Sequence, residues 1–260
     1  MTLTISEMRD RVGTITLAHD DKRNALSSAL IDELIADLDG FAARKVRAVV
    51  LRAKPGASVW SAGHDVSELP RSGRDPLAYS DPLERAVRGV RHFPAPVIAM
   101  IEGSVWGGAV ELALSCDILI GTPTASFAIT PAKIGVPYNP AGILRLMTAV
   151  DAGLLVKEMF FTARPIAAER ALQVGMLNHV VPGATIEEFT YEMAHHVCTL
   201  APLSIAVIKE QIRLLAEAHP LSPETFERIQ GLRRIVYDSD DYAEGISAFL
   251  EKRKPQYRGE

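Results

Sequence analysis

Apolar positions follow two different rhythms along this chain. In the first half, short apolar runs alternate with stretches of helical periodicity. Val12–Ala18 alternates and predicts a strand, after an edge strand near Leu3–Met8. Val46–Ala53, in which Val49, Val50 and Leu51 are continuous, and the apolar run Pro96–Ile101 predict buried strands, and Ile118–Gly121 and Ser126–Ile129 predict two more. Ser27–Ala43 carries Leu30, Ile31, Leu34, Ile35 and Leu38 on one helical stripe, with Ser27 or Ser28 placed to cap it. Pro82–Phe93 and Ala109–Ser115 also read as helices. Lys54–Ser58 reads as a loop, and Leu69–Asp81, rich in Pro, Gly, Arg, Ser and Asp, as a surface segment able to act as a lid.

From about Ala141 onward the rhythm is helical. Helices are predicted near Gly142–Ala149, Ala152–Phe161, Ala167–Val174, Ile186–Leu200, Pro202–Ala218, Pro223–Tyr237 and Ser239–Lys252, with one short strand inside Met176–Val181. Between the halves, Pro131–Gly142 reads as a loop with constrained turns. The pattern predicts an α/β fold with a sheet-containing core and a helical C-terminal region. A length of 260 residues suits that plan.

Charge and composition narrow the function classes. A net charge of −4 gives no support for nucleic-acid or membrane-surface binding. No apolar run reaches the ~18 residues of a membrane span. Glu7, Arg9, Asp10 and Arg11 break any signal-peptide pattern at the N-terminus. Cys116 and Cys198 are far apart and lack metal-type spacing, as do His195 and His196, so reduced thiols in a cytoplasmic protein are expected.

The chemistry is expected in two loops. Gly107-Gly108 follows a buried strand and opens a helix, where unpaired N–H groups and the helix dipole attract negative charge. Ala62-Gly63-His64 ends another strand region. Each offers a backbone N–H beside a glycine. Two converging N–H groups form an oxyanion hole, worth ~3–4 kcal/mol per donor in acyl chemistry. The alternative is that Gly107-Gly108 only permits close helix–strand packing. Glu111 lies three residues after Gly108 and so near that site.

The motifs Arg23-Asn24-Ala25-Leu26, Ser61-Ala62-Gly63-His64-Asp65, Gly107-Gly108-Ala109-Val110-Glu111-Leu112-Ala113 and Cys116-Asp117, in this order and spacing, resemble the crotonase (enoyl-CoA hydratase/isomerase) superfamily. That resemblance covers essentially the whole chain. It implies a crotonase-like spiral of ββα units over residues 1–195 and a C-terminal helical region over 196–260 used in oligomerisation, giving a homotrimer or a dimer of trimers. It also implies an acyl-CoA thioester as substrate, its oxygen taken by the N–H groups of His64 and Gly108. Hydratases of the superfamily need a second glutamate where this chain has Pro131, so hydration is not expected. Ser61–Pro70, Gly73–Leu77, Gly103–Gly108, Gly135–Asn139 and Phe249–Pro255 resemble more closely those members that decarboxylate methylmalonyl thioesters. Another acyl-CoA isomerase or hydrolase, and a non-catalytic acyl-CoA-binding scaffold, are the alternatives.

For such a decarboxylase the expected catalytic set is Tyr138, Glu111, His64 and Gly108. His64, Asp65, Val66, Ser67, Glu68, Gly108, Thr130 and Lys252 are expected to bind substrate, and Lys22, Ala25, Ala62 and Lys252 coenzyme A. No biotin and no metal are expected, since coenzyme A arrives as part of the substrate. Tyr138 can hydrogen-bond the substrate carboxylate or merely fill its loop. An ionised Glu111 would repel that carboxylate by ~4 kcal/mol at ~4 Å and an effective dielectric of ~20. Either it is protonated in the complex, or it points away in a structural role. Thr130 contacts substrate or caps the turn at Pro131. Lys22 meets phosphates or only solvent. His64 serves through its backbone N–H, or through its imidazole as a base.

Overall fold

The computed structural model describes residues 2–70, 78–150, 153–217 and 222–258. Strands β1 (Thr4–Arg9) and β2 (Val12–Leu17) form an antiparallel hairpin, and helix α1 (Ser28–Ala43) follows, its first turn capped by Ser27. The chain then winds in repeated turns that give one strand to each of two sheets. These are β3 (Ala48–Ala53) with β4 (Val59–Ser61), β5 (Val97–Ile101) with β6 (Ser104–Trp106), and β7 (Ile118–Gly121) with β8 (Ser126–Ala128). Helix α2 (Pro82–His92) closes the first turn and α3 (Gly108–Leu114) the second.

Among the described residues one sheet runs β1-β2-β3-β5-β7-β10, where β10 is His179–Val180; the other runs β4-β6-β8-β9, where β9 is Ile166–Ala167. Every neighbouring pair is parallel except β1 with β2 and β8 with β9. This is the ββα spiral expected of an α/β crotonase-like chain.

The continuous apolar runs have a simple cause. The first sheet is covered on both faces, so alternate residues enter two different cores. Val49, Leu51, Val97, Ala99 and Ile101 face the main core with α1 and α2. Ala48, Val50, Ile98 and Met100 face a second core under α7 (Ile186–Cys198).

One expectation needs correction, and two strands add to those expected. Ser104–Trp106 and Ile166–Ala167 are strands too short to show a period of two. Pro131–Gly142 is not one loop: Pro131–Ile134 makes a turn of 3-10 helix, and α4 (Pro140–Ala149) already begins at Pro140. Proline suits the first helical position because its missing N–H would have no partner there, and Asn139 caps the turn through Gly142 N–H. Residues 71–77, most of the expected lid and the whole Gly73–Leu77 motif, lie outside the described residues. At the ends of that segment Leu69 is buried and Asp81 caps α2.

The later helices α5 (Gly153–Thr162), α6 (Ala168–Gln173), α8 (Pro202–Ala216), α9 (Pro223–Tyr237) and α10 (Asp240–Leu250) fall where their periodicity predicts. No described helix is long and apolar enough to cross a membrane.

Candidate active site

The two glycine loops converge. Gly63 has φ +85°, and a Cβ there would lie 2.4 Å from Trp106 O and 3.2 Å from Gly108 N. A Cβ on Gly108 would lie 3.7 Å from His64 N. The backbones of the first and second turns therefore touch at this point, and no residue with a side chain fits at Gly63. Neither His64 N–H nor Gly108 N–H has a backbone acceptor among the described residues. For Gly108 this follows from its place at the start of α3. The remaining chain holds the first loop rigidly. Leu26 N–H donates to Gly63 O at 2.7 Å, Ala62 N–H to Arg23 O at 2.9 Å, and Ser61 Oγ to Asn24 O at 2.6 Å. Asn24 adds its amide to Trp60 O at 3.0 Å, so the Arg23–Leu26 motif acts as a scaffold for Gly63-His64.

The His64 imidazole is tied back rather than left open. Its Nε2 lies 3.3 Å from Asp81 Oδ2 and its Nδ1 3.1 Å from Asp65 O. Burial works against its charged form, but the hydrogen bond and charge of Asp81 outweigh that and raise its pKa above the usual value.

Asp65 is equally occupied. Its carboxylate accepts from Lys22 Nζ at 2.7 Å and from Ser67 N–H and Oγ at 3.0 and 2.6 Å. Burial pushes its pKa up, but these bonds outweigh it and hold the carboxyl below the usual range. Glu68 accepts from Ser28 N–H and Oγ at 2.8 and 2.7 Å, joining the turn at Val66–Glu68 to the start of α1. Ala25 is buried and Ala62 exposed on this same loop pair.

On α3, Glu111 is 1 % exposed. Its Oε2 accepts from the Tyr138 hydroxyl at 2.6 Å. Its Oε1 accepts from Arg145 Nε at 2.8 Å and also contacts Arg145 Nη2. The same Nη2 reaches Glu84 Oε1 on α2 at 2.6 Å. Burial, and then the neighbouring Glu111 charge, raise the Tyr138 pKa well above its ordinary value. Burial pushes the Glu84 carboxyl up; Arg145 pulls against it and Glu111 adds to it. Tyr138 also stacks edge-on against Phe160, ring centroids 5.1 Å apart.

Thus Gly108, Glu111 and Tyr138 share one site, with His64 N–H beside Gly108. Thr130 joins them at its margin, where a Cβ on Gly107 would lie 3.5 Å from its Oγ1. Lys252 does not join them by any described contact; it is exposed just beyond α10, with φ 55°. Arg145 and Glu84 were not singled out in the sequence. Their only signal is an arginine inside the apolar run Gly142–Val150 and a glutamate inside the helix expected at Pro82–Phe93. Among the described residues there is no group of three or more His, Cys, Asp or Glu that could hold a metal.

Known proteins place this arrangement. The enoyl-CoA hydratase/isomerase pattern matches residues 7–260. Methylmalonyl-CoA decarboxylase of Escherichia coli K12 is 53% identical over 251 residues, 96% of this chain and 95% of that protein. A methylmalonyl-CoA decarboxylase solved in complex with 2-nitronate-propionyl-CoA superposes with a TM-score of 0.96 at 51% identity, covering 99% of both chains. Another, complexed with 2S-carboxypropyl CoA, gives a TM-score of 0.96 at 50% identity, covering 100% of this chain and 99% of that one. The chain belongs to the enoyl-CoA hydratase/isomerase family.

Proposed function

We propose that this protein is a carboxy-lyase that converts methylmalonyl-CoA to propanoyl-CoA through a thioester enolate. The observation that carries this reading is the 53% identity to a methylmalonyl-CoA decarboxylase over 96% of the chain. The site geometry agrees with what the reaction requires. The bond between Cα and the carboxylate breaks, its electron pair passes into the thioester as an enolate, and carbon dioxide departs. A proton then takes its place on Cα. No base is needed at Cα, and neither biotin nor a metal enters the scheme; coenzyme A comes with the substrate.

In this reading the N–H groups of His64 and Gly108 receive the thioester oxygen as it gains charge. Tyr138 exchanges its bond to Glu111 for one to the substrate carboxylate, turning that group out of the thioester plane so that the breaking bond overlaps the carbonyl π system. The proton that replaces carbon dioxide comes from the Tyr138–Glu111 pair or from water. His64 acts through its backbone, which the tethering of its ring to Asp81 and Asp65 supports. Asp65, Val66, Ser67, Glu68 and Thr130 line the approach of the acyl group. Lys22, Ala25, Ala62 and Lys252 meet coenzyme A, Lys252 from a neighbouring subunit.

Assembly is part of the proposal. α8 buries none of its residues within the chain, and Leu203, Ile212 and Leu215 are 81%, 63% and 74% exposed. An apolar helix face left exposed in this way calls for a covering surface, and a second copy of the chain supplies it in a trimer or a dimer of trimers. The region 196–260 is assigned to that contact and 1–195 to the spiral core. A cytoplasmic location fits the two cysteines, both free.

The test is carbon dioxide release from methylmalonyl-CoA by the purified protein with a chelator present, and crotonyl-CoA hydration run alongside. Release without hydration supports the reading. Hydration or isomerisation without release overturns it, and thioester binding without turnover replaces it with a scaffold.

A further inference from the structure

The site holds a charged group that decarboxylation by itself does not call for. Arg145 reaches from α4 to two buried carboxylates on two other helices, Glu111 on α3 and Glu84 on α2. Its own side chain is 18% exposed, and those of Glu84 and Glu111 are 8% and 1% exposed. Buried ion triads of this kind are commonly no better for stability than apolar residues of the same volume, so stability alone is a weak reason for keeping one. The arrangement is also directional. Arg145 Nε and Nη2 converge on Glu111 Oε1, leaving Oε2 to Tyr138, so both oxygens of Glu111 are engaged from the α4 side.

A substrate with its own carboxylate makes the charge of Glu111 the main obstacle to binding. We propose that Arg145 is the positioning residue that removes this obstacle: it holds the charge and orientation of Glu111 on its guanidinium, and so fits the pocket to an acyl thioester bearing a free carboxylate. The inference rests on the substrate reading given above and names the group that makes that substrate acceptable. α3 packs against α2, α4 and β6. From α2, Glu84 meets Arg145 directly and feels the Glu111 charge, while Arg88 acts on Glu84 and Arg91 is coupled to Arg145. α4 contributes Arg145, the turn before it contributes Tyr138, and β6 contributes no titratable group.

Removing Arg145 leaves the buried Glu84 and Glu111 carboxylates without the guanidinium that joins them. The experiment measures dissociation constants of two coenzyme A compounds by calorimetry. One is 2S-carboxypropyl CoA, which carries a carboxylate but no thioester carbonyl and is not decarboxylated by this route. The other is propanoyl-CoA, which has no carboxylate. For Arg145→Gln, the carboxylated ligand is expected to weaken by about tenfold or more and propanoyl-CoA by less than about twofold. Adding Glu111→Gln to that variant is expected to restore the carboxylated ligand. Equal weakening of both ligands, or no restoration in the double variant, overturns the proposal. Should Arg145→Gln fail to fold, Glu84→Gln gives the answer. With Arg145 left to Glu111 alone, the carboxylated ligand should tighten about threefold or more relative to propanoyl-CoA, and an equal change in both overturns the proposal. Carbon dioxide release by the unmodified protein is read on the same preparation. A protein that releases none yet shows the selectivity change refutes the decarboxylase reading and leaves the role of Arg145 standing.

Discussion

Gly142 sits in the first turn of α4, where a Cβ would lie 2.4 Å from Tyr138 Cε1 and 2.7 Å from Glu111 Oε2. Its hydrogen leaves the room in which those two side chains meet. Gly142→Ala puts no strain on the helical backbone, so its damage falls on the pair. Overpacking of this kind costs about 1–3 kcal/mol. A displaced Tyr138 should lower kcat by an order of magnitude or more. A variant melting curve read beside its kcat checks this: a small shift in Tm with a large loss of kcat is the expected result. At this scale much of the site was legible. Gly63, His64, Gly108, Glu111 and Tyr138 stand in contiguous motifs, and the chemistry of an oxyanion needs backbone beside glycine. Arg145 and Glu84 were not legible, because their role exists only when α2, α3 and α4 come together, and no local spacing encodes that.

The elements are held in place by caps that also serve the site. Asp81 Oδ1 accepts Leu83 N–H at 2.8 Å at the start of α2, and its Oδ2 meets His64 Nε2. The His64 pKa is raised in the folded protein, so the folded form holds that proton more tightly than the unfolded chain does. The contribution is complete below the ordinary imidazole value of ~6.5 and is lost as pH rises through the folded pKa. Asp81→Asn keeps a capping oxygen but removes the charge. Its Tm deficit against the parent protein is therefore expected to be larger at about pH 5.5 than at about pH 8.5, and a deficit that grows with pH contradicts the assignment. Elements of six residues or more were readable from periodicity. β6 and β9, at three and two residues, were not; they exist because neighbouring strands pair with them. The start of α4 was hidden by Pro140, which reads as a breaker in sequence and serves as a first helical residue in space.

Across the whole molecule, the two-sheet spiral explains why runs of consecutive apolar residues recur within β3, β5 and β7: each strand is covered on both faces. The same logic leaves one face of α8 open: Ile205, Ala206 and Lys209 are half-buried against the rest of the chain, while Leu203, Ile212 and Leu215 stay exposed. Ile212→Glu is expected to dissociate the proposed assembly while leaving the helical content of the chain unchanged, as read by sedimentation and circular dichroism. An unchanged sedimentation coefficient removes α8 from the contact. The sequence alone reached the order of strands and helices, but not which helix faces stay open, because that depends on the surface the folded spiral presents.

The measurement that tests the central claim most directly is turnover of methylmalonyl-CoA in deuterated water, with carbon dioxide and propanoyl-CoA counted together. An enolate protonated from the site predicts equal amounts of both products and a single deuterium on Cα of propanoyl-CoA, with the rate falling sharply in Tyr138→Phe. Consumption of the thioester without carbon dioxide, or release of carbon dioxide without matching propanoyl-CoA, contradicts the account.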